Sequence, residues 1–211
     1  MHKQSEISNQ NPAIELMAPA GSQAALSAAI AAGADSVYFG VGKLNMRARS
    51  ADFTADDLPG IAERCREAGV KSYLALNTLI YDEEIDEMRA LCAAAKASGV
   101  SAVIATDIAT IETARSIGLE VHISVQANVA NFQALEFYSR YADTVVLARE
   151  LTLDQISNLW KKVQQHNVRG PNGELVRLEL FGHGALCVAV SGKCYMSLAQ
   201  NGHSANRGAC L

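Results

Sequence analysis

Three of the chain's five cysteines stand close together near its carboxyl end, each beside glycine. They occur as His183-Gly-Ala-Leu-Cys187, Ser191-Gly-Lys-Cys194 and Asn206-Arg-Gly-Ala-Cys210. Glycine permits the tight bends and close backbone approach that a thiolate cage needs. The gaps of seven and sixteen residues are not the C-x-x-C of a zinc ribbon. Three thiolates leave a four-ligand site one short, so His183, His203 or a residue beyond Leu211 has to complete it. Zinc accepts three cysteines plus a histidine. An iron–sulfur cluster accepts irregularly spaced cysteines from one long loop. The residues by themselves leave both open.

A second group of candidates sits at the ends of predicted strands. Asn77 ends the third and Asp107 the fourth; Ser124, Gln126 and Asn128 end the fifth; Arg149 and Glu150 end the sixth; His183 ends the seventh. Each also has a plain structural reading. Asp107 suits a helix cap, Asn77 a turn, and Arg149 with Glu150 a solvated pair. Ser124, Gln126 and Asn128 alternate, which predicts one shared polar face. His183 fits a ligand, a base or a core histidine, with Glu179 pointing the same way, and His203 reads as an exposed loop residue. A peptidase needs a nucleophile, a base and an oxyanion hole. Ser191, Ser197 or Cys187 with His183 are the available pairs. Neither a G-x-S-x-G elbow nor an H-E-x-x-H helix is present, so the residues favour a metal centre over proteolysis.

The elements that position these groups follow a strand–helix alternation, the mark of parallel βαβ units. Short apolar strands are predicted at 15–18, 36–40, 71–76, 102–106, 120–125, 144–148 and 175–181. Helices are predicted near 22–32, 54–68, 82–98, 108–117, 131–141 and 152–165. Thr54 is placed to cap the second helix, with Asp56 and Asp57 at the positive end of its dipole and Gly69 ending it. Cys65 and Cys92 recur at helical spacing with apolar neighbours and read as core residues. No G-x-G-x-x-G follows the first strand, which disfavours a dinucleotide fold. The expectation is an α/β fold, a (β/α)8 TIM-barrel-like domain truncated after its seventh strand, with a gap where an eighth would close it. Active residues of such barrels sit at the carboxyl ends of the strands, where the candidates above converge.

Composition narrows the class. Apolar residues at 49% and charged residues at 19% fit a globular domain. No apolar run reaches the ~18 to 20 residues of a membrane span, and residues 1–12 lack the apolar core of a secretory signal. The expectation is a cytoplasmic protein without membrane contact, a disordered tail over 1–12 and one domain over 13–211 with a cysteine-rich loop at 183–211. The net charge of −4 is not the footprint of a strong nucleic-acid binder, although Arg47 and Arg49 offer a local basic patch.

The run Glu179-Leu-Phe-Gly-His183-Gly-Ala-Leu-Cys187, followed after six residues by Cys194-Tyr-Met-Ser197, resembles the signature of peptidase family U32, whose members are collagenase-like by label. Leu16-Met-Ala-Pro-Ala-Gly21, Gly33-Ala-Asp-Ser-Val-Tyr-Phe-Gly40, Asn77, Ser124-Val-Gln-Ala-Asn128 and Ala148-Arg-Glu150 match its other blocks, so the resemblance runs through the chain. It implies a [4Fe-4S] cluster on four cysteines, with Cys187, Cys194 and Cys210 matching three and the fourth downstream of Leu211. It implies hydroxylation without molecular oxygen: of tRNA uridine with prephenate as hydroxyl source, of ribosomal RNA, or in ubiquinone synthesis. The form of the blocks here is most similar to the RNA-modifying branches, the tRNA branch first. On that reading RNA is the partner, and His183, Glu150, Ser124, Asn128 and Asn77 are the catalytic candidates that orient the base and a small carboxylate co-substrate. The alternatives are a U32 collagenase-like peptidase and a barrel that binds a metal, zinc included, only structurally.

Overall fold

The computed structural model describes residues 14–46, 48, 52–184, 187, 189–190 and 194–210. The predicted tail over 1–12, the basic candidates Arg47 and Arg49, and Ser191 lie outside the described residues. Strands and helices alternate as β1 (Met17–Pro19), α1 (Gln23–Ala31), β2 (Ser36–Gly40), α2 (Leu58–Glu67), β3 (Lys71–Leu76), α3 (Ile85–Ser98), β4 (Ala102–Ala105), α4 (Ile108–Ser116), β5 (Glu120–Ile123), α5 (Phe132–Ser139), β6 (Thr144–Val146), α6 (Leu153–Gln165), β7 (Arg177–Glu179) and α7 (Met196–Asn201).

The helices start where short polar side chains can take up free backbone N–H groups. Ser22 Oγ accepts from Ala25 N–H at 3.2 Å, Asp107 Oδ1 from Ala109 N–H at 2.9 Å and Asn131 Oδ1 from Ala134 N–H at 2.9 Å. Thr152 and Gln155 form a reciprocal box at α6, with bonds of 2.8 and 3.3 Å. Thr54 caps as expected, but one turn earlier. A 3-10 turn over Ala55–Asp57 precedes α2, and the Thr54 hydroxyl and N–H both donate to Asp57 Oδ2 at 2.8 Å.

All seven strands join one parallel sheet in chain order, β1 to β7. Period-two alternation divides their side chains between two faces. Val37, Phe39, Leu74, Leu76, Val103, Val121, Ile123 and Val145 point outward into the main core, under the helices. Tyr38, Tyr73, Ala102 and Ile104 form a smaller inner cluster. The sheet curls about that inner face. The Tyr73 hydroxyl on β3 donates to Glu15, just before β1, at 2.6 Å, and Arg177 on β7 pairs with Glu120 on β5. Each contact reaches across an intervening strand. Among the described residues β7 does not pair with β1. Ile14 and Leu16 beside β1, and Leu180 and Phe181 after β7, are exposed there. Among the described residues the fold is thus the expected TIM-barrel-like sheet, with seven strands and an open seam between β7 and β1.

Three details differ from the sequence reading. The fifth strand stops at Ile123, and Val125–Ala127 forms a 3-10 turn, so Ser124, Gln126 and Asn128 do not alternate along a strand. β7 covers only 177–179, because Leu175 makes an antiparallel bridge back to Arg169 around the turn. α7 and a 3-10 turn over Ala205–Arg207 add order to a segment expected as loop. No helix among the described residues is long and apolar enough to cross a membrane.

Candidate functional site at the carboxyl end of the barrel

Asn77 leaves the end of β3 half-buried and binds in three directions. Its Oδ1 accepts the Met46 N–H at 3.0 Å, and its Nδ2 lies 3.4 Å from both Ser124 Oγ and Gln126 Oε1. Ser124 is buried, and its hydroxyl donates to Gln126 Oε1. The loops after β2, β3 and β5 therefore meet in one polar cluster at the mouth. Two of the predicted catalytic residues, Asn77 and Ser124, belong to it, together with Gln126. Asn128 takes the left-handed conformation, φ 58°, which turns the chain out of the 3-10 segment toward Val129. Asparagine tolerates that conformation better than most residues. Asp107 is accounted for by structure: besides capping α4 it accepts the Ile80 N–H at 3.1 Å.

Glu150 and His183 are exposed, and His183 lies four residues past the end of β7 rather than on it. Arg149 reaches the segment after β7, with its guanidinium 3.5 Å from the Ala189 carbonyl and 5.8 Å from the centre of the Phe181 ring. His203 is exposed, and Ser197 is buried in α7.

The carboxyl-terminal segment docks on the same mouth. Arg207 donates to the Leu79 carbonyl and to Glu84, and its guanidinium sits 4.2 Å above the Tyr81 ring. The hydrogen bond from Arg207 holds the Glu84 carboxyl below its usual range. Gly208, at φ +84°, presses its Cα against the Asn45 carbonyl so closely that a Cβ there has no room. Gly40 leaves matching room for the buried Asn45 side chain, whose Nδ2 donates to the Val41 and Gly42 carbonyls at 3.1 Å. Cys194 N–H lies 3.3 Å from Asn206 Oδ1, and Cys194 Sγ accepts the Met196 N–H at 3.4 Å. Contacts thus run without a break from the Cys210 end through Gly208, Asn45 and Met46 to Asn77. Nothing in the spacing of Arg207 foretold its place in this chain of contacts.

None of the five cysteines is in a disulfide. Cys65 and Cys92 are buried in helices, where burial pushes both thiols up, Cys92 to about 11. Cys187 and Cys210 are exposed and Cys194 is half-buried. Among the described residues no three His, Cys, Asp or Glu side chains stand together as a ready metal shell. In donor chemistry the set suits a soft centre: three thiols, none in a disulfide, in one glycine-bearing segment.

Sequence reasoning missed the barrel's polar interior. His122, at 2% exposure, has Nε2 3.4 Å from Glu120 Oε1 and Nδ1 3.3 Å from Glu179 Oε2. Its ring packs on Tyr73 with centroids 4.5 Å apart. Burial alone would lower the imidazole; the two carboxylates outweigh it and raise it. Nearer the amino-terminal end, burial opposes ionisation of Glu15, but bonds from Lys71, Tyr73 and Ser36 hold it at about 2. Burial and the Glu15 contact together push the Tyr73 phenol far up. The signal was present as Glu120-Val-His122-Ile-Ser124, a period-two polar face on a strand expected to be buried.

Comparison with known proteins adds kinship. The family model of peptidase family U32 matches residues 21–211. A protein named collagenase from Porphyromonas gingivalis is 58% identical over 197 residues, 93% of this chain and 48% of that protein. The tRNA hydroxylation protein P1 of Bacillus subtilis is 32% identical, over 93% of this chain and 44% of its own length. A 23S rRNA 5-hydroxycytidine synthase of Escherichia coli is 35% identical, over 93% of this chain and 28% of its own. This chain thus spans about half or less of the length of these relatives. Among solved structures, a U32 peptidase superposes with a TM-score of 0.59 at 17% identity, covering 85% of this chain and 71% of that one.

Proposed function

Because this chain belongs to peptidase family U32, we propose that it works as the barrel of an iron–sulfur-dependent enzyme that hydroxylates RNA without molecular oxygen, with a tRNA uridine as target and prephenate as hydroxyl source. The observation that carries this reading is the docking of the thiol-bearing segment on the polar mouth, through Arg207, Gly208, Asn45 and Met46 to Asn77. Relatives named for tRNA hydroxylation and for rRNA hydroxycytidine synthesis support RNA as the substrate. Cys187, Cys194 and Cys210 would hold the cluster, with a fourth ligand from outside this chain. When bound, the cluster supplies redox or Lewis-acid chemistry. Asn77, Ser124 and Gln126 offer hydrogen bonds to orient a base or a small carboxylate. His122, in the layer beneath them, is buried.

A peptidase remains the second reading, favoured by the collagenase-named relative at 58% identity. Against it, the Ser124 hydroxyl donates to Gln126 rather than to a histidine, Ser197 is buried, and His183 is exposed. The test is anaerobic reconstitution with iron and sulfide, followed by nucleoside analysis of tRNA from cells lacking the enzyme and complemented with the protein. Wild type should bind cluster iron and restore hydroxylated uridine, and Cys187→Ala and Cys194→Ala should lose both. Ser191→Ala should keep both. Cleavage of collagen peptides by metal-free protein, abolished by His183→Ala or Ser191→Ala, would replace this reading with the peptidase.

A further inference from the structure

The inner face of β5 carries Glu120, then His122, with Ser124 just past the strand's end, and β7 faces it with Arg177 and Glu179. Both ring nitrogens of His122 stand at ion-pair distance from a carboxylate, 3.3 and 3.4 Å, yet neither reaches hydrogen-bond geometry. A neutral imidazole has one N–H to give; its other nitrogen would turn a lone pair toward the second carboxylate. The site therefore favours the imidazolium. Among the described residues the ring faces Glu120 on its own strand, Glu179 from β7 and the Tyr73 ring from β3. Arg177 is joined through Glu120, and Glu15 with Lys71 through Tyr73.

The two carboxylates differ. Glu120 is already matched by Arg177 toward the amino-terminal end of the barrel. Glu179 has no cation other than His122 among the described residues. Register also sets it apart. Val146 pairs with Glu179, and Ile123 pairs with Val145, so Glu179 lies in the layer of Ser124, at the mouth. His122, opposite Thr144, lies one layer below. The Glu179 side chain is 19% exposed, against 2% for His122. Oε2 of Glu179 faces the buried His122 ring, and the side chain as a whole keeps some exposure at the level of the mouth.

We propose that Glu179 is the proton acceptor of the barrel mouth and that His122, beneath it, is its positioning residue. For its substrate this rests on the RNA-hydroxylation reading; the pair itself does not. In the step assigned to it, a proton leaves a C–H or O–H of the bound substrate and the bonding electrons stay with the substrate. The Glu179 carboxylate becomes the carboxylic acid and later returns the proton to water at the open mouth. His122 keeps Glu179 aimed through charge and does not touch the substrate.

The test has two arms. In protein labelled with ¹⁵N-histidine, the His122 ring signal is assigned from its loss in His122→Gln and titrated in wild type, Glu179→Gln and Glu120→Gln. The ring should hold its second proton to higher pH in wild type than in Glu179→Gln. In the kinetic arm, Glu179→Gln should lower turnover on tRNA by about 10²- to 10⁴-fold, the span of general acid–base catalysis, with RNA KM and cluster iron unchanged. His122→Gln should shift the pH profile of turnover. An unaltered His122 titration in Glu179→Gln, or wild-type turnover by that variant, overturns the proposal. If wild type modifies no RNA, the functional reading falls and the titration alone decides the pair. If His122→Gln does not fold, the two glutamate variants still assign and test the signal.

Discussion

The Met46 N–H donates to Asn77 Oδ1 at 3.0 Å, and that bond joins the loop after β2 to the end of β3 beneath the cysteine segment. Because the Asn77 amide also faces Ser124 and Gln126 at 3.4 Å, one side chain organises three loops. Asn77→Ala leaves the Met46 N–H without its acceptor, and a partly buried unsatisfied donor costs about 1 to 2 kcal/mol. The urea midpoint should fall while the slope of the transition stays constant. Asn77→Asp keeps the acceptor and removes the donors, so it should retain most of the stability and still lose activity. Equal losses of stability in the two variants would show that the Met46 bond is not the main term.

Gly208→Ala should release the cysteine segment and leave the barrel folded. The left-handed backbone at φ +84° disfavours alanine, and the Asn45 carbonyl occupies the space of its Cβ. Neither obstacle is the tip of a side chain that can swing away. Hydrogen exchange should rise across 194–210 while β3 to β5 stay protected. Arg207→Ala should act in the same direction by freeing Glu84 and the Leu79 carbonyl. Unchanged protection of 194–210 in Gly208→Ala would contradict the docking.

The fold was legible because its central strands, β2 to β6, are largely buried and separated by helices. Lys71–Leu76 and Ser36–Gly40 emerge at their predicted bounds. Cys65 and Cys92 follow the helical period of their apolar neighbours and lie where it put them. The mouth was legible in part. Polar strand ends named Asn77 and Ser124, but the turn at Val125–Ala127 was hidden, since alternating Ser, Gln and Asn looks the same in a strand as in a tight turn. His122 was missed because the alternation of Glu120, His122 and Ser124 names no partner, and Glu179, far along the chain, is brought beside it only by the fold. Arg207 lies at a similar remove: its partner Glu84 is 123 residues away.

The interior charges predict a stability plateau between about pH 4.5 and 6.5, from the ordinary values of the two groups concerned. Glu15 is depressed in the fold, so its contribution is complete above 4.5 and drains away as pH falls toward about 2. His122 is raised, so its contribution is complete below 6.5 and is lost as pH climbs through its folded value. Glu15 is partly solvated, which moderates the acid limb. Urea midpoints measured against pH should show both limbs. Glu15→Gln should flatten the acid limb and Glu179→Gln should weaken the alkaline one. An alkaline limb identical in Glu179→Gln and wild type would mean that His122 does not draw its proton affinity from that carboxylate.

Thiol reactivity should divide the cysteines three to two. The thiolate is the nucleophile, so reaction with a disulfide reagent needs both access and ionisation. Cys187 and Cys210 are exposed and should react at once; half-buried Cys194 should follow more slowly. Cys65 and Cys92 lack access, and burial raises both thiols, so they should react only at the rate of global unfolding. Cys92 also donates to Met88 Sδ at 3.8 Å inside α3, an apolar setting that offers a thiolate nothing. If the cluster is held as proposed, anaerobic loading with iron and sulfide should abolish the fast class and leave the slow class unchanged, and chelation should restore it. Cys65→Ala and Cys92→Ala should bind as much iron as wild type. A fast thiol that survives loading, followed by mass-spectrometric identification as Cys187 or Cys194, would remove that residue from the ligand set.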